Sequence, residues 1–378
     1  MSTPVVLFAG GGTGGHVFPM IAVADALRAL ADVRVVYVGT ERGIEARVLP
    51  ARGDEVEFLE VLPIKGKGAI GAARGLWSAA ATLPRARQIL RRLAPRAVLA
   101  VGGYASGPVG LWAGLSRVPL AIMEPNSVLG LSNRWLLPFA RRAYVAFPET
   151  AARIPSGVAQ HTGVPLRGTF VPSPYRPLEG TVRVLVLGGS QGARVLNEVL
   201  PAALARAGRE IAGLSILHQA GRGRDDDVYR AYRTAGREAR VVPFIDDVAS
   251  ELLQADLVIA RSGAGSVAEL CAVGRAALLI PFAQAADDHQ RGNADALARA
   301  GGAVVVTESD ASTERLSREV VTLAKDATAR ARMADAARAL GRPNAAREVA
   351  QDLLELSGIG TRKGNGEVLR GRSEVANV

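Results

Sequence analysis

The chain has 378 residues, 48% of them hydrophobic, which is enough apolar material for two packed domains and excludes a disordered chain. Its formal net charge is +10, and nearly all of its basic residues are arginine. The excess of arginine is explained either by a solvated basic surface without a specific partner or by attraction to acidic membrane lipid or polyanionic ligands. No basic groove with interleaved aromatic residues is evident, so the sequence does not indicate a nucleic-acid-binding protein.

Cys271 is the single cysteine, so no internal disulfide is expected, and its apolar helical surroundings predict a buried thiol. The sequence shows no secretion signal at its beginning and no apolar run long enough to span a bilayer. The four histidines are scattered, and the acidic run 225–227 is typical of a solvated helix start, so no metal site is predicted. We therefore expect a cytoplasmic protein that is soluble or peripherally attached to a membrane.

Strand-like and helix-like runs alternate along the first half of the chain, which predicts a parallel sheet with crossover helices. The predicted strands are Val5–Ala9, Val33–Val38, Val56–Val61, Ala97–Val101, Pro119–Met123 and Ala143–Phe147. The predicted helices lie between them, at about 17–30, 43–51, 69–93, 107–116 and 130–140. A segment rich in proline and glycine, 148–180, then interrupts the alternation and predicts a domain boundary.

The second half repeats this plan and ends in a long helical region at 313–356. Its predicted strands are Val182–Leu187, Leu214–Gln219, Arg240–Phe244, Leu257–Ala260, Ala277–Pro281 and Ala303–Thr307. We therefore predict an α/β protein of two doubly wound, Rossmann-like domains that face each other across a cleft. The predicted divisions are an N-terminal domain at 1–163, a C-terminal domain at 164–357 and a disordered tail at 358–378.

A glycine-rich turn, 10–15, joins the first strand to the first helix. Turns of this kind let a ligand approach the backbone closely, and the helix that follows favours an anion at its N-terminus. The turn also matches the G-x-G-x-x-G pattern of dinucleotide enzymes, with Glu41 as a late candidate for the ribose contact, so an NAD-dependent oxidoreductase is one alternative. His16 follows directly, and a neutral imidazole there is a candidate base for a sugar hydroxyl.

Three further turns of small residues follow predicted strands, at 102–108, 188–193 and 261–266. The first two offer helix N-termini to a phosphorylated ligand, and Ser190 is a candidate hydrogen-bond donor to a phosphate oxygen. Glu269 lies just after the last turn, where a carboxylate complements the helix dipole or accepts the two hydroxyls of a ribose.

A basic amphipathic stretch at 62–93 combines apolar residues with Lys65, Lys67, Arg74, Arg85 and Arg87. It either packs its apolar side inward as an ordinary domain helix or lies on an anionic membrane surface.

The ordered set of these motifs resembles the MurG family of peptidoglycan glycosyltransferases over about 4–355. The matching segments are GGTGGHVFP at 11–19, GGYASGP at 102–108, GGSQGA at 188–193, FIDD at 244–247, RSGAGSVAE at 261–269 and DDHQ at 287–290. The resemblance implies the GT-B fold, no cofactor or catalytic metal, and inverting transfer of GlcNAc from UDP-GlcNAc to lipid I, the undecaprenyl-pyrophosphoryl-MurNAc-pentapeptide. It also implies peripheral attachment to the cytoplasmic face of the cell membrane.

The resemblance further implies roles for individual residues, with His16 as the catalytic base. Donor binding is implied for Thr13, Gly14, Gly15, Asn126, Arg167, Ser190, Phe244, Ile245, Ala264, Glu269 and Gln290. Within this set, Phe244 and Ile245 flank the uracil and Glu269 accepts the ribose hydroxyls. Acceptor binding is implied for Gly103, Tyr104 and Ser106.

The sequence departs from the family pattern at Met123 and Pro125, where the family has His and Gln, and at Val164, where it has Asn. Besides the oxidoreductase, two alternatives stay open. One is a GT-B glycolipid synthase that uses another lipid acceptor, such as diacylglycerol. The other is a UDP-sugar sensor without turnover, which the altered loop at 123–126 would permit.

Overall fold

A computed structural model describes residues 3–60, 69–177, 180–189 and 192–362, with the side chains of 69–80 and 286 left out of the description. The N-terminal domain is built on a seven-stranded parallel sheet in the order β3-β2-β1-β4-β5-β6-β7. Its strands are β1 (Val5–Ala9), β2 (Arg34–Gly39), β3 (Glu55–Phe58), β4 (Ala97–Ala100), β5 (Leu120–Glu124), β6 (Arg142–Val145) and β7 (Ala159–His161). Its helices are α1 (Gly14–Leu30), α2 (Glu45–Ala51), α3 (Ala69–Leu93), α4 (Ser106–Leu115), α5 (Leu131–Leu136) and α6 (Pro148–Ala151), with a 3₁₀ turn at Leu137–Phe139.

The C-terminal domain contains a six-stranded parallel sheet in the order β10-β9-β8-β11-β12-β13. Its strands are β8 (Val182–Leu187), β9 (Leu214–Gln219), β10 (Arg240–Val242), β11 (Leu257–Ala260), β12 (Ala277–Leu279) and β13 (Ala303–Val305). The helices that follow along the chain are α7 (Arg194–Ala207), α8 (Asp225–Thr234), α9 (Val248–Gln254), α10 (Ala264–Val273), α11 (His289–Arg299), α12 (Thr313–Lys325), α13 (Ala327–Leu340) and α14 (Ala345–Ser357), with a 3₁₀ turn at Ala286–Asp288.

The central strands of both sheets are apolar along their whole length. All five residues of β1 are buried, and so are all four residues of β11. Strands of this kind do not alternate in polarity because helices cover both faces of a parallel sheet. Each sheet therefore has a core on both faces, and the carboxyl ends of its strands are left as the edge where a ligand can bind.

The last helix, α14, returns to the N-terminal domain and packs against α1. Val349 and Leu353 are buried within the core that β1 and α1 form. Asp352 fixes the return, because its carboxylate accepts hydrogen bonds from Tyr144 Oη at 2.6 Å, Gln160 Nε2 at 3.0 Å and Arg142 Nε at 3.1 Å. The chain thus crosses between the domains twice, and the sequence analysis did not anticipate the second crossing.

The expected pair of parallel α/β domains is confirmed, with two differences in detail. The helical region at 313–356 consists of three helices, because Asp326 caps α13 and the segment 341–344 separates α13 from α14. The segment rich in proline and glycine contains an additional short strand, β7, which pairs with β6. Among the helices that the structure describes, none has both the length and the apolar character needed to cross a bilayer.

Candidate active site

The two glycine turns of the N-terminal domain touch each other at the carboxyl edge of the sheet. A Cβ atom on Gly103 would lie 2.5 Å from the carbonyl oxygen of Gly11, and Gly103 has a φ of +83°. Beneath this contact Ser106 Oγ donates to Ala9 O at 2.7 Å and accepts from Gly102 N at 2.9 Å. Ser106 is fully buried, so its hydroxyl joins the two turns, and this geometry favours a positioning role over direct contact with an acceptor.

His16 lies in the first turn of α1 with its imidazole over the second glycine turn. Its Nδ1 lies 3.1 Å from Gly11 O and 3.4 Å from Thr13 Oγ1. Since a carbonyl oxygen can only accept, the Gly11 contact places a proton on Nδ1 and leaves Nε2 as the acceptor. Burial lowers the pKa of His16, and the charge of Glu124 partly opposes that shift. The imidazole is therefore neutral near pH 7, as a general base must be.

Glu45, at the start of α2, binds the backbone of the first glycine turn through its carboxylate. Its carboxylate accepts hydrogen bonds from Gly12 N at 2.8 Å and from Thr40 N and Thr40 Oγ1 at 2.9 Å each. The side chain is fully buried, and a Cβ at Gly43 would lie 2.1 Å from its Oε2. The glycines around it are therefore required by the space that the carboxylate occupies.

Glu124, at the end of β5, organises the loop that follows. Its Oε1 accepts from Asn126 N and Asn126 Nδ2 at 3.1 Å each, and its Oε2 accepts from Gly130 N at 2.8 Å and Asn133 Nδ2 at 2.9 Å. Met123 and Pro125 do not disturb this arrangement, because the loop is held through Glu124 and the polar groups that bond to it. Asn126 therefore has a defined position at the cleft.

The same loop contacts the C-terminal domain through Asn293 of α11. Asn293 Oδ1 accepts from Ser127 N at 2.9 Å, and its Nδ2 donates to Ser262 O at 3.1 Å and lies 3.4 Å from Asn126 Oδ1. Asn293 is fully buried, so each of these bonds replaces a lost contact with water. The side chain thereby connects the predicted sugar contact in one domain to the α10 turn in the other.

Arg167 contacts an aromatic ring on each side of the boundary between the domains. Its guanidinium carbon lies 5.8 Å from the ring centre of Phe18 on α1 and 5.8 Å from that of Phe170. Its positive charge lowers the pKa of Glu269, but burial is the larger effect and raises that pKa to about 7. The charge of Arg167 therefore acts on the Glu269 carboxyl.

The remaining residues predicted to bind the donor lie at the starts of α10 and α11 and in the segment between β10 and α9. Ala264 is the first residue of α10, where free N–H groups suit a diphosphate. Gln290 accepts a hydrogen bond from Phe282 N at 3.0 Å through its Oε1. The Phe244 ring is exposed while Ile245 beside it is buried, so one aromatic face is open for a base.

The other predicted residues are placed as follows. Thr13 precedes α1, and Gly14 and Gly15 are its first two residues, so their N–H groups lie at the free helix end. Tyr104 is exposed beside the second glycine turn. Ser190 and the segment 61–68 of the basic stretch lie outside the described residues.

The sequence analysis missed Glu45 and Asn293, although each had a signal in the sequence. Glu45 follows Gly39 and Gly43, and a Cβ on either glycine would lie within 2.5 Å of its side chain. Asn293 follows Gln290 by three residues and therefore lies on the same face of a helix. In both cases the sequence alone does not predict which group the side chain contacts.

Comparison with known proteins assigns the family. The model of the glycosyltransferase family 28 N-terminal domain matches residues 6–145, and that of the C-terminal domain matches residues 183–352. A relative from Sorangium cellulosum, named UDP-N-acetylglucosamine–N-acetylmuramyl-(pentapeptide) pyrophosphoryl-undecaprenol N-acetylglucosamine transferase, is 56% identical over 93% of this chain and 88% of its own length. A relative of the same name from Nitrosococcus oceani is 44% identical over 93% of this chain and 98% of its own length.

A solved structure agrees with these relatives. The crystal structure of Acinetobacter baumannii MurG has a TM-score of 0.78 and 32% identity, and the match covers 94% of this chain and 99% of that one. The resemblance drawn from the motifs and the GT-B fold that it implied are therefore confirmed. The chain belongs to glycosyltransferase family 28.

Proposed function

We propose that this protein transfers GlcNAc from UDP-GlcNAc to the 4-hydroxyl of MurNAc in lipid I, giving lipid II and UDP. The substrates are those in the name of the relative that is 56% identical over 93% of the chain. The observation that supports the proposal is the position of His16, whose Nδ1 lies 3.1 Å from Gly11 O and whose Nε2 lies beside Gly102, where the two glycine turns touch. Membership of a glycosyltransferase family does not favour the oxidoreductase alternative.

The donor site places positively charged groups where the leaving diphosphate develops negative charge. The 4-hydroxyl attacks C1 of the donor sugar with inversion, the bond from C1 to the diphosphate breaks, and UDP leaves with the negative charge. The N-terminal end of α10 and the guanidinium of Arg167 stabilise that charge, since donors that are already oriented need no reorganisation during the reaction. Glu269 accepts the ribose hydroxyls, Phe244 and Ile245 flank the uracil, and Asn126 and Gln290 contact the sugar.

His16 supplies the base. Its Nε2 takes the proton of the attacking hydroxyl while Nδ1–H stays bonded to Gly11 O, so the imidazolium that forms keeps its orientation. The acceptor diphosphate binds at the two glycine turns, with Gly103 and Tyr104 at its rim. Closure of the domains excludes water and thereby limits hydrolysis of the donor.

We further propose that the protein binds the cytoplasmic face of the membrane through its N-terminal domain. Trp135 and Leu115, on neighbouring helices, are 54% and 58% exposed. The adjacent helix α3 carries Arg85 and Arg87 on its surface. Exposed apolar groups beside arginine suit a leaflet of anionic lipid. Sedimentation with anionic vesicles should exceed that with neutral vesicles, and Trp135→Ser should reduce it.

Transfer of radiolabelled GlcNAc to a lipid I analogue, with EDTA present, tests the proposed reaction. The wild type should give labelled disaccharide-lipid, and Glu269→Ala should lose it together with UDP affinity. Glu198→Gln, on an exposed surface of the donor domain, is the matched control and should behave as the wild type. Donor binding without transfer to lipid I would redirect the search to other lipid acceptors or to a sensor. Nicotinamide binding without UDP-GlcNAc binding would refute the proposal.

A further inference from the structure

One peptide group connects the buried carboxylate of Glu45 to the imidazole of His16. The N–H of this group belongs to Gly12 and donates to Glu45 Oε2 at 2.8 Å. The C=O of the same group belongs to Gly11 and accepts from His16 Nδ1 at 3.1 Å. The order of groups is therefore carboxylate, peptide, imidazole, with Nε2 beside Gly102 of the second glycine turn.

The carboxylate in this arrangement is held by hydrogen-bond donors alone. Within the ranges that the structure describes, no ion pair involves Glu45, and its carboxylate accepts from the N–H groups of Gly12 and Thr40 and from the hydroxyl of Thr40. A fully buried carboxylate is costly unless such donors surround it. An apolar side chain here would leave the N–H groups of Gly12 and Thr40 without this acceptor, so the carboxylate orders the turn and lies next to the peptide that His16 contacts.

Hydrogen bonds in a chain polarise one another. A negative charge at the N–H end of a peptide makes its carbonyl oxygen a stronger acceptor, which strengthens the bond from His16 Nδ1–H. That bond selects the tautomer with the proton on Nδ1 and stabilises the imidazolium that forms when Nε2 takes a proton. In serine hydrolases an aspartate does this by direct contact with the imidazole.

We propose that Glu45 is a positioning residue for His16, acting through the Gly11–Gly12 peptide to keep Nε2 free as the proton acceptor. This inference rests on the proposed role of His16 as the base. Thr13 Oγ1, at 3.4 Å from Nδ1, is the competing partner and makes a longer contact than Gly11 O does at 3.1 Å. The other charged or titratable groups that act on His16 are Glu124 at the end of β5 and His289 at the start of α11.

The tautomer of His16 tests the inference without any assay of activity. Long-range ¹H–¹⁵N correlation spectra of the full-length protein report which ring nitrogen carries the proton, and the His16→Ala spectrum assigns the signals. In the wild type, Nδ1 should be protonated and Nε2 should not. In Glu45→Gln the two tautomers should mix, because an amide cannot accept at both Gly12 N and Thr40 N and leaves one N–H unpaired. A wild type with the proton on Nε2, or a variant with an unchanged tautomer, would overturn the inference.

Kinetics provide the second measurement. Glu45→Gln should lower kcat by about 10–100-fold, the range seen when the hydrogen-bond partner that orients a metal-binding histidine is replaced, with UDP affinity unchanged. Glu45→Asp, which keeps the charge, should recover part of the loss. Asp256→Asn is the matched control, because Asp256 is a buried carboxylate of the other domain that accepts from Arg183 N at 2.8 Å. It should lower the unfolding temperature without a comparable loss of kcat.

The outcomes separate this inference from the proposed function. If Glu45→Gln does not fold, the wild-type tautomer and Glu45→Asp still decide the question. If the tautomer shifts as expected while the wild type transfers nothing to lipid I, the arrangement stands and the proposed reaction fails. If transfer is present but kcat and UDP affinity fall together in folded Glu45→Gln, Glu45 is structural and the inference is wrong.

Discussion

We predict that the ionised side chain of Glu269 lowers the free energy of unfolding, although the same carboxylate is the proposed contact for the ribose of the donor. Burial raises its pKa to about 7 from the ordinary value of 4.5. In the folded protein the carboxyl therefore stays mostly protonated up to about pH 7. In the unfolded chain the carboxyl ionises near its ordinary pKa. The free energy of unfolding should therefore fall as pH rises from about 4.5 to about 7, and the full penalty should be present above that range. The shift from 4.5 to about 7 is about 2.5 pKa units, so at about 1.4 kcal/mol for each unit the upper limit of the penalty is about 3 to 4 kcal/mol.

Glu269→Gln removes the penalty because glutamine does not ionise. The measurement is guanidinium unfolding of both proteins at pH 4.5 and pH 8, with Glu198→Gln as an exposed control. The variant should gain about 1–3 kcal/mol relative to the wild type between these two pH values, and the control should gain none. UDP titrations of the same proteins should show wild-type affinity rising through pH 7, since the ribose hydroxyls donate to the ionised form. That dependence should be absent in Glu269→Gln.

Two results would contradict this reasoning. A difference below about 0.5 kcal/mol would mean that solvent at the open edge of the cleft already screens the carboxylate. A variant that binds UDP as tightly as the wild type would mean that Glu269 does not meet the ribose, whatever its effect on stability.

Three further predictions concern the N-terminal turn and the contact between the domains. His16→Ala should lower kcat by about 10²–10⁴-fold while UDP affinity in a titration stays unchanged, and an equal loss of both would show a structural role. Asn293→Ala leaves buried partners unpaired in both domains, so the transfer rate should fall by about tenfold or more while UDP affinity changes less. Gly43→Ala would place a Cβ 2.1 Å from Glu45 Oε2 and should cost about 1–3 kcal/mol in thermal unfolding, whereas Gly360→Ala, with open space around it, should cost little.

The sequence was sufficient to predict the elements that depend on local pattern. Continuous apolar runs such as Val5–Ala9 mark strands covered on both faces, and glycine turns mark the ends of these strands that bind ligands. It was not sufficient for contacts set by the packing of distant segments. The return of α14 to α1 depends on Asp352 meeting Tyr144 and Gln160, which are separated from it by 208 and 192 residues. No periodicity within α14 indicates which domain it covers.

Two loops of the N-terminal domain that face the cleft, the first glycine turn and the loop after β5, are built in the same way. Each is held by a buried carboxylate, Glu45 or Glu124, whose oxygens accept from backbone N–H groups and neighbouring polar side chains. A glycine-rich loop left to itself loses much conformational entropy on ordering, and a fixed acceptor beneath it offsets part of that cost before the substrate arrives. Catalysis by oriented groups requires such order in advance, since donors and acceptors that must first reorganise stabilise the transition state less. The buried carboxylates of Glu45 and Glu124 hold backbone atoms of the two loops in place. Through those atoms they fix the positions of His16 and Asn126.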